Sequence, residues 1–526
     1  MKAFAALLDR LAFSPRRNDK LRLLQLYFEA TPDPDRGYAL AALTGGLDFA
    51  HAKPALIRGL AAERSDEVLF ALSYDYVGDL AETVALLWPE PAQPAPPVPA
   101  LSTVVTTLQQ LGRSELPGQL SAWLDGLDAD GRWALLKLIT GGLRVGVSGR
   151  LARQALAGLG SVDVGEIEEL WHALTPPYAE LFAWLTGTAG RPQVSLAGAF
   201  RPVMLSHPLD EADLAGWDPA AFAAEWKWDG ARVQLAAGGG TARLYSRSGD
   251  DISQAFPEMV EAAVSAELDA VLDGELLILR DGVVAPFADL QRRLNRKRVG
   301  TGLRRDFPAH VRLYDVLFVG DEDLRPLPFQ ARRDRLQAWL AAAAPDRFDL
   351  SPLVDFADWE ALAALRAAEV APGVEGLMLK RHDSPYLAGR VKGHWYKWKR
   401  DPFRVDAVLL YAQRGHGRRS SLFSDYTFGV WRNQQLVPVG KAYFGFSDEE
   451  LRQLDRWVRR HTVERFGPVH QVTPELVLEV AFEGVNRSNR HKSGLAMRFP
   501  RIARIRWDKP AAEADELAAL QDLLSA

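Results

Sequence analysis

The 526-residue sequence predicts a multidomain protein: an all-α N-terminal domain, an α+β domain in the middle and a small β-barrel at the end. Three observations predict it. The chain is too long for one hydrophobic core, so two to four domains are expected. Apolar residues recur at helical spacing up to about residue 195, then give way to strand-like runs. Beyond about residue 400 several short strands crowd together, as in a small barrel. The expected domains are therefore 1–195, 196–400 and 401–526.

Composition narrows the class. A hydrophobic fraction of 48% with 25% charged residues belongs to a globular protein. No apolar run is long enough to cross a bilayer, and Met1-Lys2-Ala3-Phe4 leads into an amphipathic pattern, so a cytoplasmic protein without membrane association is expected. With 0 cysteines, disulfides, thiolate zinc sites and a cysteine nucleophile are excluded. The 10 histidines form no His-x-x-x-His pair, so any metal would be a hard, oxygen-liganded ion such as magnesium. The net charge of -5 argues against an indiscriminate nucleic-acid coat protein but leaves room for local basic surfaces.

In the first domain, Phe4, Leu7, Leu8 and Leu11 mark one helix face, and Leu21, Leu24 and Phe28 the next. The proline-rich stretch from Pro89 to Pro99 reads as an extended connector, after which Val104, Leu108 and Leu111 resume the helical pattern. The segment Thr140-Gly141-Gly142-Leu143-Arg144-Val145-Gly146-Val147-Ser148-Gly149-Arg150 supports two readings. Its backbone N–H groups with Arg144 and Arg150 would suit a phosphate, and it equally fits a glycine-stopped helix followed by a capped one; both can hold.

The middle domain shows strands at Arg232–Leu235, Val271–Leu272, Leu276–Leu279, Val311–Tyr314 and Leu377–Leu379, with a helix from Gln330 to Leu340. The last domain shows them at Asp406–Tyr411, Tyr426–Trp431, Glu475–Val480 and Ile502–Arg506, a pattern that suggests an OB-type barrel.

Chemistry centres on Glu225-Trp226-Lys227-Trp228-Asp229-Gly230-Ala231-Arg232. Its Lys-x-Asp-Gly core would let a lysine amine attack a nucleotide phosphorus, provided the site removes the ammonium proton. Downstream come Ser246-Arg247-Ser248-Gly249 in a turn, Asp273-Gly274-Glu275 beside a strand, Tyr314-Asp315 ending one, Glu375-Gly376-Leu377-Met378-Leu379-Lys380, and Trp395-Tyr396-Lys397-Trp398-Lys399 with both lysines on one face. Each piece alone also reads as a turn, a strand entrance or core. Their number and order favour a nucleotide site.

This ordered set resembles the covalent nucleotidyltransferases, and within them the bacterial ATP-dependent DNA ligases with an N-terminal helical DNA-binding domain. Leu143-Arg144-Val145-Gly146-Val147 looks like that domain's phosphate hairpin, Arg201-Pro202-Val203-Met204-Leu205 like the entry to the catalytic domain, and Arg506-Trp507-Asp508-Lys509 like the Arg-x-Asp-Lys motif that orients pyrophosphate. The resemblance implies that Lys227 becomes adenylated by ATP and that Glu225 reads the adenine amino group. Arg232 and Glu275 would hold ribose or the nick phosphate, Arg247 the phosphates, and Tyr314, where the family usually has Phe, would stack on adenine. Glu375, with Glu275, would bind magnesium or manganese, and Lys397 and Lys399 the α-phosphate. Arg390 and Lys392 both stand near the cation position expected before that pair.

The implied partner is nicked double-stranded DNA, encircled by a monomer. Basic clusters at Gln291-Arg292-Arg293-Leu294-Asn295-Arg296-Lys297-Arg298, Arg414–Arg419 and Arg498-Phe499-Pro500-Arg501 are candidate backbone contacts, named here as Arg292, Arg293, Arg296, Arg498 and Arg501 beside Arg144 and Arg150. RNA ligases and capping guanylyltransferases share Lys-x-Asp-Gly but are not expected to carry nearly 200 helical residues in front. A non-catalytic DNA clamp is the remaining alternative.

Overall fold

The computed structural model describes residues 1–526 except 91–98, 194–197, 295, 297–298, 344–345, 369–372, 416–421, 444, 446, 489–490 and 525–526. Most of the proline-rich connector, Asn295, Lys297, Arg298 and the basic run 416–421 therefore lie outside the described residues. The chain forms two compact units, one of Gly160–Arg400 and one joining Met1–Leu159 to Asp401–Ala526.

Among the described residues no strand precedes His207. The first helix, Lys2–Phe13, buries Phe4, Leu7, Leu8 and Leu11, the face its spacing predicts. Aspartates at helix starts satisfy N–H groups that have no intrahelical partner: Asp66, Asp79 and Asp128 accept from Leu69, Glu82 and Gly131. The helix Ala129–Thr140 stops at Gly141, and Ser148 Oγ accepts from the Leu151 N–H where Gly149–Gly160 begins. The stop-and-start reading of Thr140 to Arg150 thus holds.

The unit Gly160–Arg400 has its strands in the order β1 (His207–Pro208), β2 (Phe222–Trp228), β3 (Ala231–Gly238), β4 (Thr241–Ser246), β5 (Ala270–Arg280), β6 (Val283–Val284), β7 (Ala309–Val319), β8 (Glu322–Asp323), β9 (Phe348–Leu350), β10 (Leu353–Val354), β11 (Val374–Arg381) and β12 (Trp395–Lys399). Among the described residues they make two sheets. One runs β1-β12-β11-β2-β10; the other runs β4-β3-β5-β7-β8, with β6 on β5 and β9 on β7. A cluster of Ala223, Ala236, Leu317, Phe329, Tyr386 and Trp395 packs the two sheets together.

Two glycines let strands approach where a side chain would not fit. A Cβ at Gly230 would lie 2.5 Å from Leu276 O, and one at Gly376, whose φ is +145°, would lie 2.3 Å from Trp398 O. The first sets the β2–β3 turn over β5; the second sets β11 against β12. Strand β2 is buried on both faces over Phe222, Ala223, Ala224 and Glu225 and opens only at Trp226, Lys227 and Trp228, so Lys227 reaches a cleft.

Two local expectations change. Asp273-Gly274-Glu275 lies inside β5 and Tyr314-Asp315 inside β7, because both are 11-residue strands with apolar residues continuing past the motif. Within the unit Gly160–Arg400, Glu169 binds Arg325 and lies 3.7 Å from Arg201, and the His172 ring packs edge-on to Phe200 at 4.7 Å.

In the other unit, β13 (Phe403–Arg414), β14 (Phe423–Arg432), β15 (Gln435–Ala442), β16 (Thr462–Phe466), β17 (Val469–Val472), β18 (Val477–Phe482), β19 (Gly484–Arg487), β20 (Leu495–Arg498) and β21 (Arg501–Arg506) follow. They form a sheet in the order β15-β14-β13-β17-β16, with β18 joining β13 to β21 and β19 pairing β20. Long β13 pairs with β14, β17 and β18 around a core that includes Leu409, Phe428, Leu478 and Phe482.

Gly376→Ala should lower stability by about 3 kcal/mol, since it adds both a left-handed strain and a collision with backbone. Urea denaturation of parent and variant measures it.

Candidate active site

The register assembles the site. On β2, Lys227 pairs with Gly376 of β11, which pairs with Lys399 of β12; one row away Glu225, Met378 and Lys397 align. In the second sheet Arg232 of β3 pairs with Glu275 of β5. Because alternate residues share a face, these rows deliver Glu225, Lys227, Lys397 and Lys399 to one opening. There a cavity of ≈ 500 Å³ is lined by Glu225, Lys227, Arg232, Arg247, Glu275, Tyr314, Arg390, Lys397 and Lys399, with Trp226, Lys380 and Trp395 among the rest. Arg390 is in this lining and Lys392 is not.

Lys227 Nζ donates to Glu375 Oε2 at 2.6 Å, and Lys399 Nζ lies 3.7 Å from the same oxygen. Burial opposes the charge on Lys227, but Glu375 and Glu275 outweigh it and hold the amine above the ordinary lysine range. Of the two ways a lysine can become a nucleophile, a neutral amine at rest or loss of the proton during reaction, this electrostatic balance favours the second. Glu375 is held below the usual carboxylate range: burial works against it, and Lys227 overcomes burial. Glu275 is pushed up to about 8 by burial, only partly offset by Lys227 and Arg232. Lys397 is lowered by burial and then by Lys399, Arg390, Lys227 and Arg247, so the cations are concentrated at that end.

Behind the opening, polar groups are saturated. Asp273 is fully buried and accepts from Arg232 Nε (3.0 Å) and Nη2 (2.6 Å), from Tyr314 Oη (3.1 Å) and from Tyr386 Oη (2.6 Å). Arg232 also donates to Met204 O and Tyr386 Oη, which leaves one of its five N–H groups for a ligand. The tyrosine hydroxyl at 314 therefore has a structural partner that a phenylalanine would lack. Glu225, 2% exposed, accepts from Arg333 (3.0 Å) and Lys380 (2.9 Å). Lys380 Nζ sits 4.4 Å from the Tyr314 ring centroid, 4.7 Å from Trp395 and 4.9 Å from Phe329. Sequence reasoning assigned no role to Lys380, Tyr386, Trp395 or Arg333. Two of them stood inside quoted motifs: Lys380 shares a strand face with Met378, and Trp395 shares one with Lys397 and Lys399.

Arg506 ends β21 and Lys509 follows it in the other unit, where both bind Asp406. Arg144 is exposed in the 141–148 loop, and Arg150 lines a cavity of ≈ 490 Å³ with Arg17, Lys20, Gly146 and Ser148, the first two missed in the sequence. Arg292 and Arg296 are exposed; Arg498 stands near the exposed Phe499 ring, and Arg501 begins β21. Arg293 is a correction. It is fully buried, pairs with both oxygens of Glu258 and donates to Ala255 O and Phe307 O, so its guanidinium anchors the core and offers nothing to DNA.

A lysine held between carboxylates beside a cation-lined cavity is the central feature of this site. The pattern of the ATP dependent DNA ligase domain matches residues 203–399, and that of the ATP dependent DNA ligase C terminal region matches 419–509. A probable DNA ligase of Koribacter versatilis is 30% identical over 561 residues, covering 99% of this chain and 96% of that one. One of Anaeromyxobacter sp. is 38% identical over 417 residues, covering 77% and 78%. The solved structure Pmar-Lig_PreS3, at 16% identity, superposes with a TM-score of 0.62 over 96% of this chain and 99% of its own, a likeness of fold. The chain belongs to the ATP-dependent DNA ligase family.

Two outcomes follow from the electrostatics. A carboxyl whose folded pKa is raised contributes stability below its unfolded value and loses it as pH climbs through the folded one. The parent should therefore weaken relative to non-titrating Glu275→Gln between about pH 4.5 and about 8, by on the order of 2–4 kcal/mol in metal-free buffer; parallel pH profiles of the urea midpoint would contradict the assignment. Arg293→Ala should cost about 3–5 kcal/mol by stranding Glu258, while DNA affinity of the folded protein stays unchanged.

Proposed function

We propose that this ligase seals nicks in duplex DNA as a monomer that encircles it, with 1–195 as helical DNA-binding domain, 196–400 as adenylation domain and 401–526 as an OB-fold domain. The observation that carries the reading is Lys227 Nζ at 2.6 Å from Glu375 in a cavity also lined by Arg247, Arg390, Lys397 and Lys399.

In the first step the Lys227 amine, having lost its proton, attacks the α-phosphorus of ATP. A P–N bond forms, the bond from the α-phosphorus to the bridging oxygen breaks, and pyrophosphate leaves. Glu375, already bonded to the ammonium, is placed to accept the proton. Arg247, Arg390, Lys397 and Lys399 neutralise charge on the phosphoryl oxygens. Glu225 is the acceptor for the adenine amino group, fixed by Lys380 and Arg333, and the Tyr314 ring is the stacking surface. In the second step AMP passes to the 5′-phosphate of the nick, and in the third the 3′-hydroxyl displaces AMP. Arg232 and Glu275 orient ribose or that phosphate.

Glu275 and Glu375 are hard oxygen donors and fit magnesium or manganese. Glu275 is pushed up to about 8, so a cation there would restore its charge. Among the described residues no group of three or more His, Asp or Glu side chains is assembled, so nucleotide phosphates and water would complete the coordination. When bound, the ion would supply positive charge that weakens the carboxylates' hold on the Lys227 proton. Arg144, Arg150, Arg292, Arg296, Arg498 and Arg501 are the DNA-backbone contacts of this reading.

Lys227→Ala should acquire no AMP mass after exposure to ATP, while still sealing a chemically pre-adenylated nick at a measurable rate. Mass spectrometry and a gel assay read the two. An adduct retained by the variant would move the nucleophile elsewhere.

A further inference from the structure

The two cations at the end of β21, Arg506 and Lys509, do not stand alone. Asp406, on β13, brings one carboxylate oxygen to both: Oδ2 accepts from Lys509 Nζ at 2.8 Å and from Arg506 Nη1 at 3.2 Å. Asp508 takes the other edge of the same guanidinium, accepting from Nε at 3.0 Å and from Nη2 at 2.9 Å. Of the five guanidinium N–H groups two remain, one on each terminal nitrogen, and Lys509 keeps two of its three. Both side chains are about one-fifth exposed. Two like charges this close would repel and sample separate rotamers without a shared anion.

Asp406 is itself fixed from behind. Its backbone N–H donates to Asp515 Oδ2 at 2.8 Å, and its carbonyl accepts the Asp515 N–H at 2.8 Å. The segment carrying Asp515 is pinned to β14, where the Trp431 N–H donates to Asp515 O at 3.0 Å and the Trp431 indole to Ala511 O at 2.7 Å. The Asp406 side chain is 14% exposed, and its Oδ1 is buried with no hydrogen-bond partner among the described residues. A buried carboxylate with an unused acceptor is unfavourable by itself. Its placement is accounted for by the two cations it holds.

We propose that Asp406, braced by the segment 511–515, is a positioning residue for the self-adenylation step: it presets Arg506 and Lys509 as a paired grip for the leaving pyrophosphate. The proposal rests on the reading of Arg506-Trp507-Asp508-Lys509 given above. It acts through those two side chains, touches no reacting atom, and serves one step. The bond made there joins Lys227 Nζ to the α-phosphorus, and the bond broken releases pyrophosphate, so the grip bears on the leaving group and on its return in the reverse reaction. AMP transfer to the nick and closure by the 3′-hydroxyl involve no pyrophosphate.

The test uses the full chain with Asp406→Asn, Asp406→Glu and Arg506→Ala. Single-turnover AMP transfer from ATP should slow at least tenfold in Asp406→Asn, and pyrophosphate-driven release of AMP from the adenylated protein should slow by the same factor, since both cross one transition state. Asp406→Glu, which keeps the charge, should recover part of the rate and guards against a folding defect in the Asn variant. Sealing of a pre-adenylated nick should stay within twofold of the parent. Unchanged adenylation in Asp406→Asn, or an equal loss in adenylation and sealing, overturns the proposal. If Arg506→Ala adenylates normally, the motif reading fails; if Arg506→Ala is impaired and Asp406→Asn is not, the positioning role alone fails.

Discussion

The bond between Lys227 and Glu375 is the constraint on which the rest depends. It joins β2 to β11 through side chains that a neighbouring row of backbone pairing already aligns, and it does so where β2 first opens to a cavity. Two glycines make that alignment possible. Gly230 turns the chain over β5, so Glu275 stands near the amine, and Gly376 draws β12 close enough for Lys399 to share Glu375. An amine so held is kept charged and immobile. In the proposed reaction this amine is the nucleophile, and its proton would leave when competing positive charge enters.

The floor of the cavity follows the same logic with no ligand needed. Asp273 receives four donors, Glu225 two cations, and Asp315 the Nε and Nη2 donors of Arg332, and all three carboxylates have almost no exposure. Burying so many charges is a poor route to stability, because desolvation offsets most of the attraction. What such networks supply is rigidity of the groups in front of them. Glu225 cannot rotate away from Arg333 and Lys380, and the Tyr314 ring is fixed by its own hydroxyl on Asp273.

Much of this was legible in the sequence, for a physical reason. Strand residues alternate between faces, so Glu225 and Lys227, or Lys397 and Lys399, could be placed together from spacing alone. The helix face Phe4, Leu7, Leu8 and Leu11 was equally readable. Arg293 was not, because a basic run resembles a solvated face, and its partner Glu258 lies 35 residues away on a different element. The two long strands were cut short at Asp273-Gly274-Glu275, because Asp-Gly carries turn chemistry, and at Tyr314-Asp315, because a charged residue after an apolar run reads as a strand end. Nor could spacing tell that carboxylates rather than cations dominate the field at Lys227, which depends on distances across three strands. The choice between Arg390 and Lys392 likewise awaited the lining of the cavity.

The central claim is that the carboxylates around Lys227, Glu375 first among them, keep it protonated until nucleotide and cation arrive. The direct measurement is the titration of the Lys227 side chain by NMR, with lysine labelled at Cε, in the ligand-free protein and again with magnesium and a non-reactive ATP analogue. The account predicts a pKa above the ordinary lysine value of about 10.4 in the free protein and a clear fall on binding. A free-state value below the ordinary one, or one that does not move when the ligands bind, would contradict it.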